Sequence, residues 1–207
     1  MRARDGVRGV ALVAVVALAV SACGSGNTSG KGDPGPTDIG DPASIDKDAP
    51  TTGTSIERPT LTSPAFIDGE PIPLEFACTD LGGDNVSPAL EWSGLGDDIE
   101  SVALVMDDPD APVDGGFVHW VAVDLDPSAG GLEQGATVEH PGANGMGEPG
   151  YFGPCPPAGD RHTYVFTLYA YRDAPEWPEL PTRDDVLATA DDAAATAVLT
   201  GEFQRSQ

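Results

Sequence analysis

The chain has 207 residues, with 10 Lys and Arg against 34 Asp and Glu, a formal net charge of −24. A body this acidic is repelled by nucleic acid and by anionic headgroup surfaces, so nucleic-acid binding is excluded as its function. Only three cysteines and three histidines are present, so each can be weighed individually.

Arg2, Arg4 and Arg8 open the chain, an apolar run follows over residues 10–20, and Val20-Ser21-Ala22-Cys23 closes it. A basic start, a short apolar segment and small residues before a cut are the layout of a secretory signal. The run is too short to span a bilayer comfortably. Cys23, followed by Gly24-Ser25-Gly26, stands where cleavage should fall and resembles a bacterial lipobox. The expectation is that residues 1–22 are removed and Cys23 carries lipid. The plainer alternative is an ordinary signal peptide that contains a cysteine. Losing residues 1–22, with three arginines and one aspartate, makes the remainder more acidic still.

Residues 23–58 are Gly, Ser, Thr, Pro and Asp with almost no large apolar side chains. Such a segment buries too little surface to offset the entropy of ordering it, and reads as a tether. Residues 59–207 remain, the size of one domain with its own core.

Within that body, residues 71–77, 100–106, 117–125 and 163–171 are rich in Val, Phe, Leu, Tyr and Trp and read as strands. Turn residues separate them, among them Gly82-Gly83-Asp84-Asn85 and Gly115-Gly116. Residues 164–171 are apolar on both faces, as a central buried strand would be. Thr182-Arg183-Asp184-Asp185 then places a capping residue before an acidic turn. Val186, Leu187, Ala190, Ala194, Ala197 and Val198 recur at helical spacing, predicting a helix that ends near Gly201 and a short strand over 202–205. The fold class expected is mainly β, antiparallel, with one C-terminal helix.

If Cys23 is lipidated, Cys78 and Cys155 remain, and an exported compartment favours their pairing. The competing reading makes Cys155 a nucleophile beside His162.

Gly153-Pro154-Cys155-Pro156-Pro157-Ala158-Gly159-Asp160-Arg161-His162-Thr163-Tyr164 is a stiff loop that runs into a strand. On an extended chain His162 and Tyr164 share one face. Upstream, Asp108 and Asp110 follow an apolar strand and point the same way if the chain stays extended. His119 is expected inward on a face with Phe117, Val121 and Val123, where a nearby aspartate would favour its protonated form. His140 is expected to be a loop residue, and Trp92 and Trp120 to be core. No serine or cysteine lies in a recognisable nucleophile motif. The histidines and aspartates match no common metal spacing, so no cofactor or metal is expected.

Three motifs together resemble the phosphatidylethanolamine-binding protein family, in particular its bacterial Raf kinase inhibitor-like branch. They are Asp84-Asn85-Val86-Ser87-Pro88-Ala89-Leu90-Glu91-Trp92, then Asp108-Pro109-Asp110-Ala111-Pro112 with His119-Trp120, then Gly150-Tyr151-Phe152-Gly153-Pro154-Cys155-Pro156-Pro157-Ala158-Gly159 with His162 and Tyr164. The resemblance implies an antiparallel β-sandwich with a small pocket for phosphate-like anions. It carries the ligand-binding role to Asp108, Asp110, His119, Pro156, Pro157, His162 and Tyr164. His162 and Tyr164 can donate to anion oxygens, and a protonated His119 would add positive charge.

The function expected is a non-catalytic, membrane-tethered binding protein for a small anionic ligand or phospholipid headgroup. The alternative is an inhibitor of a protein target, a protease or kinase, since the resemblance implies both activities. A hydrolase built on Asp108, His119 and His162 ranks last.

Overall fold

The computed structural model describes residues 58–207. Residues 1–22, Cys23 and nearly all of the 23–58 segment lie outside them, so the expectations for a signal, a lipidated cysteine and a tether are not addressed by the fold.

Among the described residues eight strands run antiparallel in two sheets. The smaller sheet holds β1 (Thr60–Thr62), β2 (Leu90–Ser93) and β5 (Gly131–Leu132), in the order β1-β2-β5. The larger holds β3 (Ser101–Asp108), β4 (Phe117–Leu125), β6 (His140–Pro141), β7 (Arg161–Tyr171) and β8 (Ala195–Gln204), in the order β6-β4-β3-β7-β8. Leu61, Leu90 and Trp92 of the small sheet pack on Val102, Leu104, Met106, Trp120, Tyr164, Phe166 and Leu168 of the large one. This shared core makes the two sheets a sandwich. The back of the large sheet carries a second cluster, in which Ala103, Val105, Val121 and Val123 meet Val186 of the helix α1 (Arg183–Ala188).

The sequence places three of the large strands well. β3, the middle strand, is the one buried on both faces; β7 beside it alternates buried and half-buried residues as far as Ala170, so 164–171 is not the central strand expected. Two further expectations need correction. Residues 71–77 form no strand: Pro71 makes one bridge to Glu202, and the chain then turns into a short 3-10 helix at Leu74–Phe76. The helix is present but short. α1 ends at Ala188, and β8 takes Ala195–Gln204.

The physical reason lies in two competing periods over the same residues. Ala190, Ala194, Ala197 and Val198 have helical spacing, but Ala197, Leu199, Gly201 and Phe203 alternate. That second set turns inward on β8, leaving Val198 exposed. Pairing of β8 with β7 from Arg161–Gln204 to Ala170–Ala195 supplies a full ladder that an isolated helix would forgo. Thr182 still starts α1 as expected: its Oγ1 accepts from Asp185 N–H, and Asp185 Oδ2 accepts from Thr182 N–H at 2.8 Å.

Candidate functional site

The site lies where β3, β4 and β7 end together, at the edge of the main core. Asp108 is the last residue of β3, and His162 enters on β7 next to the strand that carries it. His162 Nδ1 is 2.7 Å from Asp108 Oδ2, and His119 Nε2 lies 3.9 Å from the same oxygen. All three residues are buried, with 3% of Asp108, 2% of His119 and 6% of His162 exposed. His119 also packs edge-on to Tyr164, with ring centroids 5.0 Å apart.

His119 arrives here through an irregularity that strand alternation does not predict. Met106 pairs with Trp120, but Asp107 pairs with Val118, so His119 is the extra residue of a β-bulge. The bulge returns its ring to the front face with Asp108 and Phe117, whereas Val121 and Val123 belong to the cluster behind the sheet. Its expected inward direction holds; its expected neighbours Val121 and Val123 do not.

His119 Nδ1 meets the Phe152 carbonyl at 2.6 Å. A carbonyl oxygen only accepts, so Nδ1 carries the ring proton. Burial is the main influence on this ring and lowers its pKa from 6.5 to about 4, against the opposing pull of the Phe152 bond and Asp108. His119 is therefore neutral near pH 7, which corrects the expectation of an imidazolium. Burial and the Asp108 carboxylate raise the Tyr164 phenol, so it stays protonated. Its buried hydroxyl makes no hydrogen bond of good geometry, with Asp108 and the Cys155 backbone as its polar neighbours.

The cavity encloses about 200 Å³ and is lined by Asp108, His119 and His162 among Phe117, Phe152, Cys155, Pro156 and Pro157, with Ala111, Pro112 and Val113 along one lip. Of the residues expected to bind ligand, Asp108, His119, Pro156, Pro157 and His162 thus come together. Tyr164 sits behind them, fully buried. Asp110 lies apart from the cavity lining: the chain turns at once after β3, Asp110 N–H donates to Asp108 Oδ1 at 3.0 Å, and Asp110 Oδ2 accepts from Thr163 N–H at 2.7 Å. An Asx turn has replaced the extended chain that would have aligned the two carboxylates.

The wall at 153–157 is stapled. Cys78 and Cys155 form a disulfide, Cys78 N–H donates to the Pro154 carbonyl at 3.1 Å, and Gly153 N–H donates to Asn85 Oδ1 at 2.8 Å. The pairing leaves no thiol at Cys155 to act as a nucleophile. Any side chain at Gly153 would collide with the Phe76 carbonyl, so only glycine allows this approach. On the other lip Gly116 has φ +74, and a β-carbon there would stand 2.6 Å from the Asp108 carbonyl oxygen.

Asn85, Phe117 and Phe152 also shape the site, although none sits in a chemical motif of its own. Asn85 has a signal, since it ends a Gly-Gly-Asp-Asn turn and adopts φ 54, which asparagine tolerates. His140 lies exposed on the two-residue strand β6, away from the site. A larger groove of about 580 Å³ runs along the small sheet past Thr60, Thr62, Glu91 and Ser93. These four side chains are exposed, and no histidine lines the groove, so the smaller cavity is the candidate site. Among the described residues no group of three His, Cys, Asp or Glu could hold a metal ion.

The fold is thus an antiparallel sandwich in which two histidines converge on one aspartate under a proline-rich wall. Residues 62–204 match the family model for phosphatidylethanolamine-binding protein, and the chain belongs to that family. It is 40% identical over 200 residues to lipoprotein LppC of Mycobacterium tuberculosis, covering 95% of this chain and 93% of that one. The crystal structure of the family homologue CT736 of Chlamydia trachomatis superposes with a TM-score of 0.65 at 34% identity, over 72% of this chain and 98% of that one. Escherichia coli YbcL, a further family member, gives a TM-score of 0.66 at 28% identity, over 72% of this chain and 99% of that one.

Proposed function

We propose that this protein is an exported, membrane-tethered binding protein whose pocket takes small phosphate-like anions, phospholipid headgroups among them, without catalysis. The observation that carries the reading is the convergence of His119 and His162 on buried Asp108 in a cavity of about 200 Å³. A cavity of that volume suits a phosphoryl group with a short substituent. The prearranged wall keeps the ordering cost of binding low. Tethering through Cys23 is supported by the lipobox-like sequence and by the likeness to a protein named as a lipoprotein.

Titration with phosphate, phosphoethanolamine and headgroup analogues, followed by NMR at the His119 and His162 rings, tests the pocket. Saturable shifts at both rings are expected. No shift with any of these ligands would overturn the reading. Mass analysis of protein from membranes tests the anchor, with a lipid adduct expected on Cys23.

A further inference from the structure

The pocket is short of positive charge and of hydrogen-bond donors. No lysine or arginine lines it. Along one wall Pro154, Pro156 and Pro157 have no amide proton, and along the facing lip Pro109 and Pro112 have none. The lip amides beside them are already engaged: Asp110 N–H with Asp108 Oδ1 at 3.0 Å, Ala111 N–H with the Asp108 carbonyl at 3.4 Å, and, just after Pro112, Val113 N–H with the Ala111 carbonyl at 2.8 Å.

The imidazoles are oriented to accept. His119 uses its Nδ1 proton on the Phe152 carbonyl and keeps a lone pair at Nε2. His162 places Nδ1 against a carboxylate oxygen of Asp108 at 2.7 Å, so in its neutral form Nε2 is likewise bare. An incoming phosphoryl dianion thus meets one carboxylate and imidazole lone pairs, while the Tyr164 phenol stays behind the lining.

Charged groups nearby do not relieve this. Asp107 faces Arg183 at 3.2 Å, on the side of β3 opposite Asp108; Asp110 accepts from Thr163; and Arg161 of β7 is held by Glu202 of β8 at 2.9 Å. Glu75, Asp80, Asp84 and Asp114 are exposed and outside the lining, and the Tyr151 hydroxyl donates to the Phe76 carbonyl.

We propose that the pocket binds a phosphoryl ligand together with one proton, as the ligand monoanion or beside a histidine that becomes imidazolium on binding. This deepens the anion-binding reading and rests on it. In the first case the P–O–H group donates to Asp108 or to His119 Nε2. In the second the new N–H donates to the ligand. Either way the ligand and Asp108 no longer face each other with one negative charge too many. The low proton affinity of buried His119 accords with a ring that is unprotonated until an anion arrives.

Calorimetry on the folded chain, with inorganic phosphate and with phosphoethanolamine between about pH 6 and 8 in buffers of different ionisation enthalpy, counts the protons. At the alkaline end, where the phosphoryl groups are largely dianionic, uptake of about one proton per ligand is expected, with affinity falling about tenfold per pH unit. Asp108→Asn, which keeps an acceptor for His162, is expected to bind phosphate about tenfold more tightly than the native chain at that pH, without proton uptake. Binding of either anion at constant affinity with no protons taken up would overturn the proposal and leave the anion-binding reading standing. Absence of binding across the whole range would remove both. If the Asp108→Asn chain does not fold, the native proton count decides alone.

Discussion

The wall at 153–157 and the lip at 109–116 face each other across one pocket, yet they are held by different kinds of bond. The wall is cross-linked to Cys78, pinned by Asn85, and close enough to Phe76 that only glycine fits at 153. The lip carries no covalent tie. It rests on an Asx turn at Asp108 and on Arg183, which reaches the Gly115 carbonyl at 2.7 Å and Asp107 at 3.2 Å. Pro112 and Val113 on the lip are exposed, whereas Pro156 on the wall is buried. The difference teaches that one side of the site is prearranged and the other can adjust. Shape selection therefore belongs to the wall and accommodation to the lip.

The strongest way to break this contrast is to cut the staple. Replacing Cys78 and Cys155 by serine releases a closure spanning a sequence separation of 77 and should cost about 4 kcal/mol in denaturant unfolding. Phosphate affinity should fall more than with any lip variant. A smaller loss than from a lip variant would reverse the assignment of rigid and adjustable sides.

His119 ties the bulged strand to the wall through Phe152, and its effect should appear in acid. The native ring is neutral with a pKa of about 4, while the unfolded ring titrates near 6.5. Between those values the unfolded chain binds more protons, so stability is complete above about pH 6.5 and is lost as pH falls towards 4. The loss from this group should approach about 3 kcal/mol and then level off. Unfolding free energies across that range should show the slope, and His119→Gln should remove it.

Asn85→Ala should cost about 1–2 kcal/mol, because it leaves the Gly153 amide without its acceptor. Hydrogen exchange at that amide should accelerate. Arg183→Met should have the smallest effect on unfolding, about 1 kcal/mol or less, since its ion pair is partly exposed. NMR relaxation should nevertheless show the 109–116 lip moving more while 153–157 stays unchanged.

Much of the site was legible because its chemistry sits in short motifs. Asp108, His119, Pro156, Pro157 and His162 were all named from sequence and line the cavity. Asp110 was placed with them because an extended chain after β3 would align the two carboxylates, whereas the side chain of Asp108 captures the Asp110 amide and ends the extension. The charge of His119 differs from the sequence expectation for another reason. A neighbouring aspartate is visible in the sequence, but the degree of burial that outweighs it is not. Asn85 went unassigned because its partner, Gly153, is 68 residues away in the chain.

The sequence by itself determined what depends on local pattern. Residues 100–106, 117–125 and 163–171 are apolar enough to be strands in any packed body, Thr182 with Asp185 caps a helix start, and Cys78 and Cys155 are the cysteines left to pair if Cys23 carries lipid. Tertiary structure decided how far each local pattern runs. β8 displaced a longer helix because β7 offered it a ladder, and His119 joined Asp108 because β3 and β4 slip by one residue between them. Both outcomes turn on the register of a partner strand. That register is settled by pairing between distant segments, which no single stretch of chain contains.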